Sequence, residues 1–246
     1  MKLQNKVAIV TGGSRGIGAA IACEFASEGA KVVVNYLNNQ EKADAIVADI
    51  IEQGGLAVAV QADVSQLSGI DHLVERTCVA FGKVDILVNN AGWATLERLQ
   101  DITLNDTKKQ FELNVFGPIF LTQKVSAIMS KGSVIINISS IAAKGGAGGS
   151  IYCATKAAIN TLTKCYAAEL GEKGIRVNAI APGAVETDLY IEAGLFKREA
   201  EIIGQTPLKR LGQPHDISSL ALFLASADSS WITGEVIQIS GGRFMS

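Results

Sequence analysis

The sequence has no apolar run approaching the roughly 18 residues a membrane-spanning helix requires. Its amino end, MKLQNKVAIVTGG, enters a strand-like run without the long apolar core of a signal segment. No membrane partner is expected, and the chain reads as cytoplasmic. An excess of charge of one sign is also missing: 22 Lys and Arg stand against 24 Asp and Glu, a net charge of -2. Nucleic-acid binding normally needs a basic face, so no such partner is expected. The four cysteines, Cys23, Cys78, Cys153 and Cys165, form no CxxC pair. They also show no metal-ligand spacing with the only histidines, His72 and His215. Reduced thiols, structural or surface histidines and no metal site are expected. No Pro/Ser linker, composition break or repeat of about 20–50 residues divides the chain, so residues 1–246 read as one domain.

What is present is alternation. Hydrophobic residues make up 48% and charged residues 19%, enough apolar material for a well-buried core. Short β-branched runs lie at 7–10, 31–36, 57–62, 85–89, 133–139, 175–180 and 235–239. Most are nearly continuously apolar, as in strands covered on both faces. Amphipathic helical patterns fall between them at 16–28, 40–53, 67–81, 106–129, 151–171 and 215–226. Strands and helices in turn, with connections of this length, imply parallel strands and right-handed crossovers. The expected fold is α/β: a Rossmann-type, doubly wound, seven-stranded parallel sheet with helices on both faces. Two stretches break the rhythm. The run GGAGG (145–149) reads as a mobile loop at the carboxyl edge of the sheet rather than a linker. Residues 187–206 carry apolar side chains in no clean register; they form either an ordinary surface helix pair or a lid over substrate.

After the first strand comes Thr11-Gly12-Gly13-Ser14-Arg15-Gly16-Ile17-Gly18, opening a helix. Glycines there let the chain turn sharply and bring backbone amides to a pyrophosphate at the helix start. The spacing differs from GxGxxG and resembles the TGxxxGxG loop of the short-chain dehydrogenase/reductase family. Further segments extend the resemblance over nearly the whole chain: Asp63 and Val64 after the third strand, Asn89-Asn90-Ala91-Gly92 after the fourth, and Asn178 to Thr187, containing Pro182, Gly183 and Val185. The resemblance implies a nicotinamide dinucleotide held by Gly12, Ser14, Arg15, Gly16, Ile17, Gly18, Asn35, Tyr36, Asp63, Val64, Asn90, Ala91, Gly92, Tyr152, Lys156, Pro182, Gly183, Val185 and Thr187.

An acidic residue ending the second strand would favour NAD by bonding the ribose 2′-hydroxyl. This chain has Asn35-Tyr36-Leu37 there, while Arg15 could pair with a 2′-phosphate. NADP is therefore expected over NAD, although the second basic residue often found past that strand is replaced by Leu37.

Tyr152 and Lys156 lie four residues apart on a helix, so they share one face. A lysine charge at roughly 4 Å and an effective dielectric of about 20 is worth on the order of 4 kcal/mol, equivalent to about three pKa units. Before desolvation and screening, a shift of that size would carry a phenol toward working pH. Alone, YxxxK means little; behind SVIINISS it resembles the family's Ser…YxxxK centre. Register with the family's fifth strand selects Ser140, 12 residues before Tyr152, whereas the longer spacing of 13 would select Ser139. Asn114 matches the fourth catalytic position, where side chain and helix backbone hold a water leading to Lys156. The resemblance implies a carbonyl oxygen held between Ser140 and Tyr152, with hydride from the nicotinamide and a proton from Tyr152.

Trp93, Ala142, Ala143, Ile151, Ala184, Tyr190 and the 189–203 segment are the expected pocket walls, suited to an apolar substrate. The implied activity is a carbonyl reductase, of which a 3-oxoacyl-acyl-carrier-protein reductase is one form, with Lys131 and Lys173 as a thin basic patch for the carrier. A sugar or secondary-alcohol dehydrogenase is the alternative. A dinucleotide-sensing protein without activity fits less well, because Tyr152 and Lys156 are both present. The family also implies a homotetramer built on the helices at 106–129 and 151–171.

Overall fold

The computed structural model describes residues 1–146 and 148–243; Ala147, within the glycine run, and residues 244–246 lie outside them. Seven strands form one parallel sheet: β1 (Val7–Val10), β2 (Lys31–Tyr36), β3 (Leu56–Gln61), β4 (Ile86–Asn89), β5 (Val134–Ile138), β6 (Arg176–Pro182) and β7 (Val236–Ile239). Their order is β3-β2-β1-β4-β5-β6-β7, reversing between β1 and β4. The strand direction of winding changes there, which opens a crevice at the carboxyl ends of those two strands.

Side-chain alternation assigns the two faces. Ala8 and Val10 of β1 and Val32 and Val34 of β2 pack with Ile21 and Phe25 of α1 (Gly16–Ser27), Ala43 and Ile50 of α2 (Gln40–Glu52) and, near the far end of the chain, Leu222 of a helix at Pro214–Ala225. Ile9 and Val33 point the other way, toward Ile70 and Leu73 of α3 (Leu67–Phe81) and Leu121 and Val125 from the chain's middle. Because both faces are covered, the strands are apolar without interruption. Each fully buried side chain of this size contributes about 1.5–3 kcal/mol.

The helix expected at 106–129 is not continuous. It divides into α4 (Leu104–Phe111), a wide π turn (Glu112–Phe116) and α5 (Gly117–Ser126). The Gly117 amide reaches back five residues, to the Glu112 carbonyl. Pro118 has no N–H to return to the Asn114 carbonyl one turn earlier, so the regular ladder cannot run through this point. The long helix α6 (Ser150–Gly171) follows β5 and a short turn at Ile141–Lys144. After β6 come α7 (Asp188–Glu192), a tight turn at Leu195–Arg198 and α8 (Glu199–Gln205); the helix at Pro214–Ala225 is α9. No helix of the described residues is long and apolar enough to cross a membrane.

Candidate active site

Two hollows meet along the carboxyl edge of the sheet. The first, about 520 Å³, runs over the β1–α1 turn and the ends of β2, β3 and β4. The second, about 320 Å³, lies between the β5–α6 connection and the 188–205 segment. Ile17, Asn90, Gly92, Thr187 and Leu189 line both, so the two form one crevice.

The turn that floors the first hollow is knitted to β4. Thr11 Oγ1 accepts from the amides of Asn90 (2.9 Å) and Ala91 (2.9 Å) and donates to the Val88 carbonyl (3.2 Å). Asn90 Nδ2 donates to the carbonyls of Thr11 (2.8 Å) and Gly12 (3.1 Å). Gly12 takes a φ of 60°, a conformation that glycine alone adopts cheaply. Gly18 does not line the hollow; a Cβ there would run into the Gly12 carbonyl oxygen and the Asn90 amide nitrogen. Its role is close packing of α1 on the turn.

Gly12, Ser14, Arg15, Gly16, Ile17, Asn35, Tyr36, Asp63, Val64, Asn90, Ala91, Gly92 and Thr187 all border this hollow. Asn35, however, is buried and bound inward. Its Nδ2 donates to the Ala62 carbonyl (3.0 Å) and its Oδ1 accepts from the Gly12 amide (3.4 Å). It fixes the turn to β3 instead of offering its amide to the groove. One Asp63 oxygen is likewise taken by the Ser65 amide (2.9 Å) and hydroxyl (2.7 Å).

Arg15 is neither free nor simply solvated. It pairs with Asp188 (3.2 Å) and Glu192 (2.6 Å) of α7, and Lys42 of α2 joins the same Asp188 (2.9 Å). Leu37, just past the end of β2, leaves no cation there, and Lys42 is the basic residue that joins Arg15 at Asp188. It stands five residues further on, and nothing in the local pattern marks it.

At the second hollow the two serines separate as strand parity requires. Ser139 is buried and turned to α6, donating to Asn160 Oδ1 (2.6 Å) and the Lys156 carbonyl (3.2 Å). Ser140 faces the pocket and shares a hydrogen bond with the Tyr152 hydroxyl. Lys156, only 5% exposed, donates from Nζ to the Ile138 carbonyl (2.8 Å) and sits 5.6 Å from the centre of the Tyr152 ring. Asn114 lies below the pocket wall. Its Oδ1 accepts from the Trp93 amide (2.9 Å), and its Nδ2 donates to the Trp93 carbonyl (2.8 Å) and Thr155 Oγ1 (3.2 Å). A Cβ on Gly92 would stand 3.3 Å from Asn114 Oδ1 and 3.6 Å from Lys156 Nζ, so the two side chains flank the same point of the wall.

The lysine-driven lowering of the tyrosine is not what this environment gives. Burial pushes Tyr152 up to about 12, against which the hydrogen bond from Ser140 pulls only part of the way. Burial also brings Lys156 down from 10.5 to about 8. Desolvation penalises both charged forms and is the largest cause acting on each. A tyrosine so placed keeps its proton at neutral pH.

Ala142, Ala184, Tyr190, Leu189, Leu195 and Ile202 line the second hollow as expected, whereas Ala143 and Ile151 do not, and Trp93 borders the first hollow instead. Ile151 is one helical step from Tyr152 and so points about 100° away from it. Lys131 and Lys173 flank the amino ends of β5 and β6, where Gly132 bonds Gly174 (2.9 Å), on the sheet edge opposite Tyr152. A buried ladder was not legible beforehand: Asn137 Nδ2 donates to Thr163 (2.9 Å), and Asn89 Nδ2 donates to Asn137 (2.8 Å) and Thr122 (3.2 Å). The only signal was the asparagine inside the apolar run VIINI.

A family profile described as enoyl-(acyl carrier protein) reductase matches residues 12–243. A probable tetrahydroxynaphthalene reductase of Zymoseptoria tritici is 41% identical over 257 residues, covering 99% of this chain and 96% of its own. Among solved structures, a blue fluorescent protein from a metagenomic library in complex with NADPH superposes with a TM-score of 0.95 at 36% identity, over 100% of both chains. A 7α-hydroxysteroid dehydrogenase complexed with NADH and 7-oxo glycochenodeoxycholic acid gives a TM-score of 0.95 at 40% identity, over 100% of this chain and 96% of its own.

Proposed function

The chain is a member of the short-chain dehydrogenase/reductase family, an oxidoreductase of CH–OH and C=O groups, and from that premise we propose an NADP(H)-dependent reductase of a carbonyl on a bulky apolar body. The observation that carries the reading is the meeting of Ser140, Tyr152 and Lys156 at one end of an apolar-walled pocket that opens into a glycine-floored groove. Glycine turns, backbone amides and the cations Arg15 and Lys42 suit a phosphorylated dinucleotide. When bound, the nicotinamide supplies or accepts the hydride.

The protein's own groups handle the oxygen. Ser140 donates to the substrate oxygen and orients it. Tyr152 breaks its O–H bond and passes the proton to that oxygen as the carbonyl becomes an alcohol. Lys156, charged below about pH 8, stabilises the phenolate left behind until it is reprotonated. Asn114 holds the Trp93 segment and, through Thr155, the start of α6. Cytoplasmic residence and a homotetramer through α5 and α6 belong to the same reading. Phe116 and Phe120, 46% and 39% exposed, offer an apolar face for that assembly.

Relatives with fused-ring names or ligands favour a ring ketone over an acyl chain on a carrier. The placement of Lys131 and Lys173 away from the pocket points the same way. A screen of ring ketones, 3-oxoacyl thioesters and sugar alcohols with NADPH and NADH tests the proposal. The expected result is NADPH-linked reduction of ring ketones; turnover confined to thioesters or to NADH would overturn it.

Ser140→Ala should lower kcat by about 10²-fold, as loss of one donor to the reacting oxygen does. Ser139→Ala should leave kcat within a few-fold but cost about 1–3 kcal/mol in urea unfolding, because Asn160 loses its buried partner. The reverse pattern would exchange their roles. Lys156 in the free enzyme further implies that kcat/KM for the dinucleotide falls as pH rises through about 8. A profile flat to pH 10 would show that the lysine charge is not used.

A further inference from the structure

We propose that Asp188 and Glu192 are cofactor-selectivity residues: they latch α7 onto Arg15 and Lys42, the two cations a 2′-phosphate would otherwise occupy. The inference rests on the NADP(H) reading above and deepens it.

The four groups come from three distant parts of the chain. Arg15 stands in the β1–α1 turn, Lys42 in the first turn of α2, and the two carboxylates on α7, the short helix after β6. Arg15 Nη1 contacts Asp188 Oδ2 at 3.2 Å and Glu192 Oε1 at 2.6 Å, and Lys42 Nζ contacts Asp188 Oδ2 at 2.9 Å. Asp188 is held below its ordinary carboxylate value, chiefly by the hydrogen bond from Lys42 and then by that from Arg15. Two positive and two negative charges make the cluster neutral. Arg15 and Asp188 both border the groove, so the contacts cross from its floor to its roof.

A phosphate monoester carries close to two negative charges at neutral pH. Entering beside Arg15 and Lys42, it meets cations whose charge is already matched and carboxylates that repel it. It gains the cations only if Asp188 and Glu192 move off. The 2′-hydroxyl of NAD(H) carries no charge and makes no such demand. The two acids therefore weaken NADP(H) binding selectively, and NADP(H) binding releases α7. Release has a direct consequence for the neighbouring pocket, since Leu189 and Tyr190 of the same helix line it.

The D188N/E192Q double variant keeps the shapes and removes the charges. All four side chains are partly exposed, 40% to 49%, so folding should be unaffected. Calorimetric titration is expected to show NADPH binding about tenfold tighter in the variant, the sum of three exposed pairs of ordinary strength. The NADH dissociation constant should change by less than about twofold. In hydrogen exchange on the unmodified protein, NADPH should leave residues 188–192 exchanging faster than NADH does, and the variant should erase that difference. Unchanged NADPH affinity, an equal gain for NADH, or equal exchange with the two cofactors in the unmodified protein overturns the proposal. If the unmodified protein binds NADH more tightly than NADPH, the cofactor reading falls, while the selective gain of the variant still decides the latch.

Discussion

Tyr152→Phe is expected to bind the dinucleotide as before and to lose at least about two orders of magnitude in kcat, the usual worth of a positioned proton donor. The substitution removes one oxygen and leaves the ring, so the packing of α6 against the pocket is retained. The direction of the reaction sharpens the test. With the tyrosine held up near 12, the hydroxyl is fully protonated at pH 7 and ready to give its proton to a carbonyl oxygen. Alcohol oxidation needs the phenolate, present in only about one molecule in 10⁵ at that pH. Reduction should therefore dominate near neutrality, and the oxidative rate of the unmodified protein should climb with pH up to about 8, where Lys156 begins to lose its charge. The phenylalanine variant should show neither the activity nor the climb. Turnover within a few-fold of normal would remove Tyr152 from the chemistry, and a pH-independent oxidative rate would remove the burial argument.

Much of this site was legible because its parts are local. Continuous apolar runs gave the parallel strands, and the glycine turn, Asn90, the Pro182–Thr187 stretch and the Tyr152–Lys156 helix each carry their spacing within a few residues. Register with the family's fifth strand favoured Ser140 over Ser139, and the structure places Ser139 against Asn160 of α6. The hidden parts are those where distant segments meet. Lys42 and Asp188 are 146 residues apart in the chain, so their pairing had no sequence signature. The break in the helix at Asn114 did have one: Pro118, inside an amphipathic pattern, removes an amide donor. The amphipathic period runs through 106–129 without a gap, although a proline in that place rarely leaves a helix regular. The upward shift of the tyrosine is hidden in the sequence for another reason. Charge attraction can be estimated from spacing, whereas desolvation depends on how deeply the fold sinks the pair.

That burial makes Lys156→Met a two-sided experiment. The lysine titrates near 10.5 in an unfolded chain and near 8 in the folded protein. The folded state thus binds fewer protons between these values, and stability rises with pH across that window. Below about pH 8 the full cost of burying the charge is present, on the order of 3 kcal/mol for a shift of this size. Methionine fills a similar volume without the charge, at the expense of the hydrogen bond to the Ile138 carbonyl, worth about 1–2 kcal/mol when left unmade. The variant should therefore be about 1–2 kcal/mol more stable at pH 7, raising Tm by roughly 2–8 °C for a chain of this length. It should also lack the gain in stability between pH 8 and 10.5. Activity should move the other way, falling by at least about two orders of magnitude as the phenolate loses its nearby charge. A variant that lost activity together with stability would mark Lys156 as a structural residue. A gain in one with a loss of the other is the signature of a charge buried for chemistry.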